Sequence, residues 1–93
     1  MRLWIVAYDI ADDRRRNRLA RLLATRMDRV QESVFEGWLV AVDMRRLLVE
    51  VAAVIELGTD AVRAYPLAMR DDSRRQKLGD QPESAPLADH WIV

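Results

Sequence analysis

Between residues 3 and 69 the apolar residues switch between the period of a strand and that of a helix, and the order of the switches constrains the fold more than any other feature. The run LWIVAYDI (3–10) is apolar up to Asp9 and rich in β-branched and aromatic residues. It reads as a strand covered on both faces. Leu19, Leu22, Leu23 and Met27 then recur at helical spacing, with Arg14, Arg18 and Arg21 on the opposite stripe. Asp12 or Asp13 is placed to cap that helix. RVQESVF (29–35) and WLVAV (38–42) read as two strands, with Glu36-Gly37 between them as a two-residue hairpin turn. Asp43 is placed to cap a second helix that buries Leu47, Leu48, Val51 and Ile55, and Gly58 is placed to stop it. AVRAYPLAM (61–69) reads as a fourth strand, and Pro66, which cannot donate to a ladder, assigns it to a sheet edge.

Strand, helix, strand, strand, helix, strand is the α+β, ferredoxin-like split βαβ pattern (βαββαβ). Its two helices cover one face of the sheet. The strands look apolar on both faces, so a second protomer is expected to stack on the other face as a homodimer. The sequence therefore divides into a domain at 1–69 and a segment at 70–93. That segment is polar, with Pro82, Pro86 and Gly79, and ends in HWIV. A loop that long is unusual without a task. Trp91, Ile92 and Val93 are expected to form an extra C-terminal strand on this protomer's sheet or on its partner's.

At 93 residues the chain has the length of one domain. No apolar stretch approaches the roughly 20 residues that span a membrane. Asp9 ends the first apolar run too early for a signal peptide, and no small-residue cleavage site follows. A cytoplasmic protein without membrane contact is expected. With no cysteine there are no disulfides and no thiolate metal sites, as suits a reducing compartment.

The net charge of zero hides an asymmetry. Residues 1–46 are basic and 47–93 acidic, and every basic residue except Lys77 is arginine. Arginine favours bidentate recognition of phosphate and carboxylate, although a GC-rich genome also enriches it. The clustering is more telling. Arg14, Arg15, Arg16, Arg18, Arg21, Arg26 and Arg29 lie in one short stretch against Asp28 alone. The first three oppose the positive end of a helix dipole. Something negative should face them, either the neighbouring aspartates or a phosphate backbone. Arg14, Arg15, Arg18 and Arg21 are accordingly candidate nucleic-acid-binding residues. Asp9, a carboxylate at the mouth of a buried strand, suits Mg²⁺ or Mn²⁺, and a two-fold dimer could bring two copies of it to one cation. His90, the sole histidine, stands beside no obvious nucleophile.

The motifs YDI.DD.RR.RLA.LL, R.Q.SVFEG and D.VR.YPL resemble the CRISPR-associated protein two family over residues 1–69. The resemblance implies a homodimer that bridges copies of the CRISPR integrase during spacer acquisition and holds duplex DNA. Some members carry a metal-dependent endonuclease activity on RNA or double-stranded DNA, and others act as clamps. Carried over by position, Asp9 is the metal ligand, and Tyr8, Arg16, Arg18, Arg29 and Phe35 join it at the nuclease site. Ser33 falls in the same SVF motif. Two functions stand side by side on these residues, phosphodiester hydrolysis with Mg²⁺ or Mn²⁺ at Asp9, and a non-catalytic clamp built on the arginines. A third, a metabolite-binding regulatory module, explains the fold but not the arginines, and the chain lacks a glycine-rich ligand loop.

Overall fold

The computed structural model describes residues 1–68. Six elements follow in the expected order: β1 (Arg2–Asp9), α1 (Asp13–Ala24), β2 (Asp28–Gln31), β3 (Val34–Leu39), α2 (Ala41–Val54) and β4 (Ala61–Leu67). The strands form one antiparallel sheet in the order β2-β3-β1-β4. This is the α+β, ferredoxin-like arrangement. β1 is central, and β4, with Pro66 opposite Trp4, lies at an edge as proline demands. No helix among the described residues is long and apolar enough to cross a membrane. The extra strand expected at Trp91–Val93 and the end of the domain at residue 69 lie outside the described residues.

Alternation along β1 distributes its side chains between two layers. Val6 and Tyr8 face α1 and α2 and join Ile10, Leu19, Leu23, Met27, Phe35, Leu39, Met44, Leu47 and Val51 in the main core. Leu3 and Ile5 face the other way and are buried with Val34 and Leu67 packed against them. The apolar character of β1 on both faces thus has a cause on each.

Helix α1 begins as expected. Asp12 is its N-cap, and the Asp12 carboxylate accepts from the Arg15 backbone N–H at 2.9 Å. Three boundaries differ from expectation. The β2–β3 turn is Glu32-Ser33, whereas Glu36 and Gly37 lie inside β3, opposite Ile5 and Trp4. Gly37 is required for a close approach and not for a turn. A Cβ there would stand 3.1 Å from the Arg26 carbonyl oxygen and 3.2 Å from Met27 Cα. The shifted turn also needs a bulge, since pairing passes from Arg29–Phe35 to Gln31–Val34.

The second difference is the start of α2. Residues 40–42 are its N-cap and first turn, not the end of a strand, and Val40 rather than Asp43 is the N-cap. Asp43 sits in the first turn, where its charge complements the dipole. The buried stripe is therefore Met44, Leu47 and Val51, with Leu48 37% exposed instead of buried. Third, α2 ends at Val54, where Ile55 turns extended, and Gly58 (φ +89°) serves the 56–60 turn that follows rather than the helix stop.

Candidate functional site

The site is built where β1 ends. Tyr8 and Asp9 are neighbours in sequence and point to opposite faces of the strand. Tyr8 is buried, and its hydroxyl donates to the Glu32 carbonyl at 2.9 Å. Its backbone N–H donates to the Ser33 carbonyl at 3.1 Å. The Arg29 guanidinium donates to the same Glu32 carbonyl at 2.6 Å and lies 5.5 Å above the centre of the Phe35 ring. That ring stacks on Tyr8 with centroids 6.3 Å apart. Burial raises the Tyr8 pKa above its ordinary value, against the opposing pull of Arg29 and, more weakly, Arg16.

Tyr8, Arg29 and Phe35, three positions that only the family resemblance singled out, are thus one contact group that holds the Glu32-Ser33 turn. Phe35 is 1% exposed and Tyr8 6%, so neither presents a face to a large ligand. Arg29 is exposed.

Asp9 is exposed, and its carboxylate makes no hydrogen bond or ion pair among the described residues. It walls two clefts. One, of about 400 Å³, is lined by Tyr8, Asp9, Ile10, Arg16, Glu32 and Ser33. The other, of about 260 Å³, is lined by Ala7, Tyr8, Asp9, Ala61 and Arg63. In the first, Arg16 donates to the carbonyls of Ile10 and Ala11 at 3.2 and 3.3 Å and pairs with Asp13. Arg16 thereby braces the loop that connects Asp9 to α1.

The remaining arginines separate into two groups. Arg14, Arg18 and Arg21 are exposed on α1 and form no ion pair among the described residues. Arg18 lines neither Asp9 cleft. Arg15, which the sequence grouped with them, is committed elsewhere. Its Nε and Nη2 donate to the two oxygens of Asp60 at 2.7 and 3.2 Å. Its Nη1 lies 3.3 Å from Glu56 and 3.9 Å from Asp12. The Asp60 side chain has no exposed surface, and it also accepts from the Glu56 backbone N–H at 2.8 Å. The Arg15 hydrogen bonds, then that backbone bond, hold the Asp60 carboxyl below its ordinary pKa. The same pairing raises Arg15.

For Arg15 and Arg16, then, the negative groups that answer the dipole conflict are carboxylates of this chain. For Arg14, Arg18 and Arg21 the described residues supply none. The pairing of Arg15 with Asp60 and Glu56 escaped the sequence reading, although Asp60 opens the D.VR.YPL motif, because they lie some forty residues from Arg15 and no local spacing links them. Arg63 stood in the D.VR.YPL motif, but the sequence reading gave it no role at the site.

Among the described residues no group of three or more His, Cys, Asp or Glu side chains could enclose a metal. The donor set fits a cation that takes a single carboxylate from the chain and completes its shell with water and phosphate oxygen, as Mg²⁺ does. Asp9, exposed and without a hydrogen bond or ion pair among the described residues, could serve as that carboxylate, and Glu32 lines the same cleft.

The sequence profile of a family described as CRISPR associated protein Cas2 matches residues 1–75. A protein of Rhodospirillum rubrum named CRISPR-associated endoribonuclease Cas2 4 is 38% identical over 93 residues, covering 100% of this chain and 74% of its own. Among solved structures, hypothetical protein TT1823 from Thermus thermophilus superposes with a TM-score of 0.77 at 43% identity, over 87% of this chain and 94% of the other. A chain of the structure titled "Partial Cas6-RT-Cas1--Cas2 complex" does so with a TM-score of 0.68 at 26% identity, over 95% and 98%. With its βαββαβ sheet, its end-of-strand Tyr8-Asp9 and a profile match across most of its length, the chain belongs to the CRISPR-associated Cas2 family.

Proposed function

We propose that the protein serves in CRISPR adaptation as a homodimer that binds nucleic acid and works with an integrase, and that its Asp9 corner hydrolyses phosphodiester bonds of RNA. The observation that carries the nuclease reading is Asp9 itself, an exposed carboxylate with no bond among the described residues, on the wall of two clefts that each hold one arginine. A relative that is named an endoribonuclease, and a similar chain in a structure titled as a complex with Cas1, support the reaction and the partner.

Asp9 would hold Mg²⁺ or Mn²⁺, which when bound lowers the pKa of water and draws charge from the scissile phosphate. Around it the chain's own groups orient the substrate. The Arg16 guanidinium lies in the Asp9 cleft and can offset charge that grows on phosphate oxygen. Ser33 and Glu32 form the opposite wall, held in place by Tyr8 and Arg29. Arg14, Arg18 and Arg21 offer an exposed stripe for backbone phosphates of RNA or duplex DNA, contacts that position without reading sequence.

Asp9→Asn tests the nuclease reading. It keeps size and removes charge, so cleavage should fall by orders of magnitude while folding and nucleic-acid binding persist. Wild-type cleavage should require Mg²⁺ or Mn²⁺ and rise with pH. A variant that cleaves as fast as wild type would reduce the protein to a clamp.

A further inference from the structure

The β2–β3 turn carries a carboxylate that the fold does not use. The backbone of Glu32-Ser33 is held at three points. The Tyr8 hydroxyl and the Arg29 guanidinium donate to the Glu32 carbonyl at 2.9 and 2.6 Å, and the Tyr8 N–H donates to the Ser33 carbonyl at 3.1 Å. The Glu32 side chain is exposed, and its carboxylate makes no hydrogen bond or ion pair among the described residues. Turn chemistry does not call for it. Two-residue hairpin turns favour Asn, Asp and Gly at positive φ, and neither Glu32 nor Ser33 takes positive φ.

Its charge belongs to the Asp9 corner. Glu32 lines the cleft of about 400 Å³ together with Asp9, Arg16 and Ser33. Burial is the first cause of the raised Tyr8 pKa, and the Glu32 charge pushes the same way more weakly. Of the residues that line this cleft, only Asp9 belongs by strand alternation to the face that carries Leu3, Ile5 and Trp38. Tyr8 faces the helices, and Ile10, Arg16, Glu32 and Ser33 lie on α1 or in connections at the end of the sheet. The homodimer contact on the Leu3 face does not call on Glu32.

We infer that Glu32 selects RNA at this cleft by accepting a hydrogen bond from a ribose 2′-hydroxyl, while Arg16 meets the neighbouring phosphate. The inference rests on the proposed function, in that nucleic acid is taken to reach the Asp9 corner, and it names what distinguishes the substrate there. A second carboxylate beside a phosphate is repulsive and weakens binding of any nucleic acid, unless the ligand brings a donor to it. The sugar–phosphate chain of DNA brings none. RNA brings one per nucleotide, and the 2′-hydroxyl is the group by which a protein tells the two apart. A carboxylate accepts it in a charge-assisted bond, stronger than a neutral one. Repulsion of DNA and attraction of RNA thus come from the same group. The clamped backbone gives that group a fixed origin, as a discriminating contact needs.

The test measures binding of fluorescein-labelled oligouridylate by anisotropy, in EDTA so that no cleavage occurs. The comparison ligand is the same oligomer with 2′-fluorine in place of each hydroxyl, which keeps the ribose pucker and removes the donor. Wild type should bind the RNA severalfold more tightly than the fluoro form. Glu32→Ala should weaken RNA binding, strengthen binding of the fluoro form and bring the two together. Glu32→Gln, whose amide oxygen still accepts, should keep part of the preference. Glu50→Ala removes an exposed acid on α2 and should leave the ratio at its wild-type value. The contact is overturned if wild type does not distinguish the two oligomers, if Glu32→Ala keeps the wild-type ratio, or if Glu50→Ala abolishes the preference equally, since the effect is then that of net charge. Any of these results, with cleavage still dependent on Asp9, removes the Glu32 contact alone. Failure of the underlying reading looks different. In that case Asp9→Asn cleaves like wild type, the triple Arg14/Arg18/Arg21→Ala variant binds RNA as wild type does, and the inference falls with the function it rests on.

Discussion

Tyr8 and Asp9 differ in fate because adjacent residues of a strand face opposite ways, and the residues singled out by the family resemblance divide along that line. Tyr8 and Phe35 are buried supports, and Asp9 is the exposed group they surround. Removing the Tyr8 hydroxyl in Tyr8→Phe deletes its bond to the Glu32 carbonyl, which keeps its bond from Arg29. The expected cost is about 1 kcal/mol in chemical denaturation. The raised Tyr8 pKa adds a pH signature. Burial favours the neutral phenol, so this stability is intact below the unfolded value of 10.0 and lost as pH rises through the higher folded value. Tyr8→Phe should lack that alkaline loss. Asp60 behaves in the opposite sense. Its folded pKa is depressed, so the Arg15 pairing stabilises fully above the unfolded value of 3.8 and fades as pH falls through the folded one. Asp60→Asn should lower Tm at neutral pH by more than Asp43→Asn, whose partner Arg46 is exposed and 4.0 Å away. The gap between wild type and Asp60→Asn should close as the melts are repeated at increasingly acid pH.

At the scale of elements, the connection from α1 to β2 passes over β3 at Gly37. The atoms that a Cβ would meet include the Arg26 carbonyl oxygen and Met27 Cα, backbone that cannot move without shifting the end of α1. Gly37→Ala should therefore destabilise by about 1–3 kcal/mol, the range for overpacking, although alanine has the better intrinsic propensity. An equal or raised denaturation midpoint would show that the connection yields. The same contact ties α1, which bears the arginine stripe, to the strand next to β1. The Arg15–Asp60 pairing ties the start of α1 to the α2–β4 turn. The helix that presents Arg14, Arg18 and Arg21 is thus fixed at both ends relative to Asp9, as the proposed contact with phosphates at set spacing would require.

For the whole molecule, both faces of the sheet carry apolar side chains while α1 and α2 cover only one. On the other face Trp38 remains 40% exposed, beside buried Leu3 and Ile5. A homodimer joined through that face should give twice the 10.8 kDa chain mass in light scattering at micromolar concentration. Trp38→Glu should shift the population toward monomer, since a carboxylate buried there would have to be desolvated. If wild type is monomeric, two Asp9 carboxylates cannot meet on one cation, and any metal chemistry must draw its protein ligands from one protomer.

The order of strands and helices was legible from sequence because period 2 and period 3.6 are local signals, and βαββαβ follows from their succession. Pro66 marked the edge strand and Asp12 the cap for the same reason, since each acts through its own backbone. Asp9 and the exposed arginines of α1 stood out as charge gathered where a strand meets a helix. Where the reading failed, distance in the chain was the cause. Glu36-Gly37 has the composition of a turn, but Gly37 answers to Arg26 and Met27 packed above it, and the turn moved to Glu32-Ser33, whose carbonyls receive Tyr8. Arg15 resembled its neighbours until Asp60 and Glu56 folded against it. Sequence settles what each residue can do. Which partner it meets is decided by tertiary contacts, because the groups that compete for a guanidinium or for the space over a glycine arrive from distant parts of the chain.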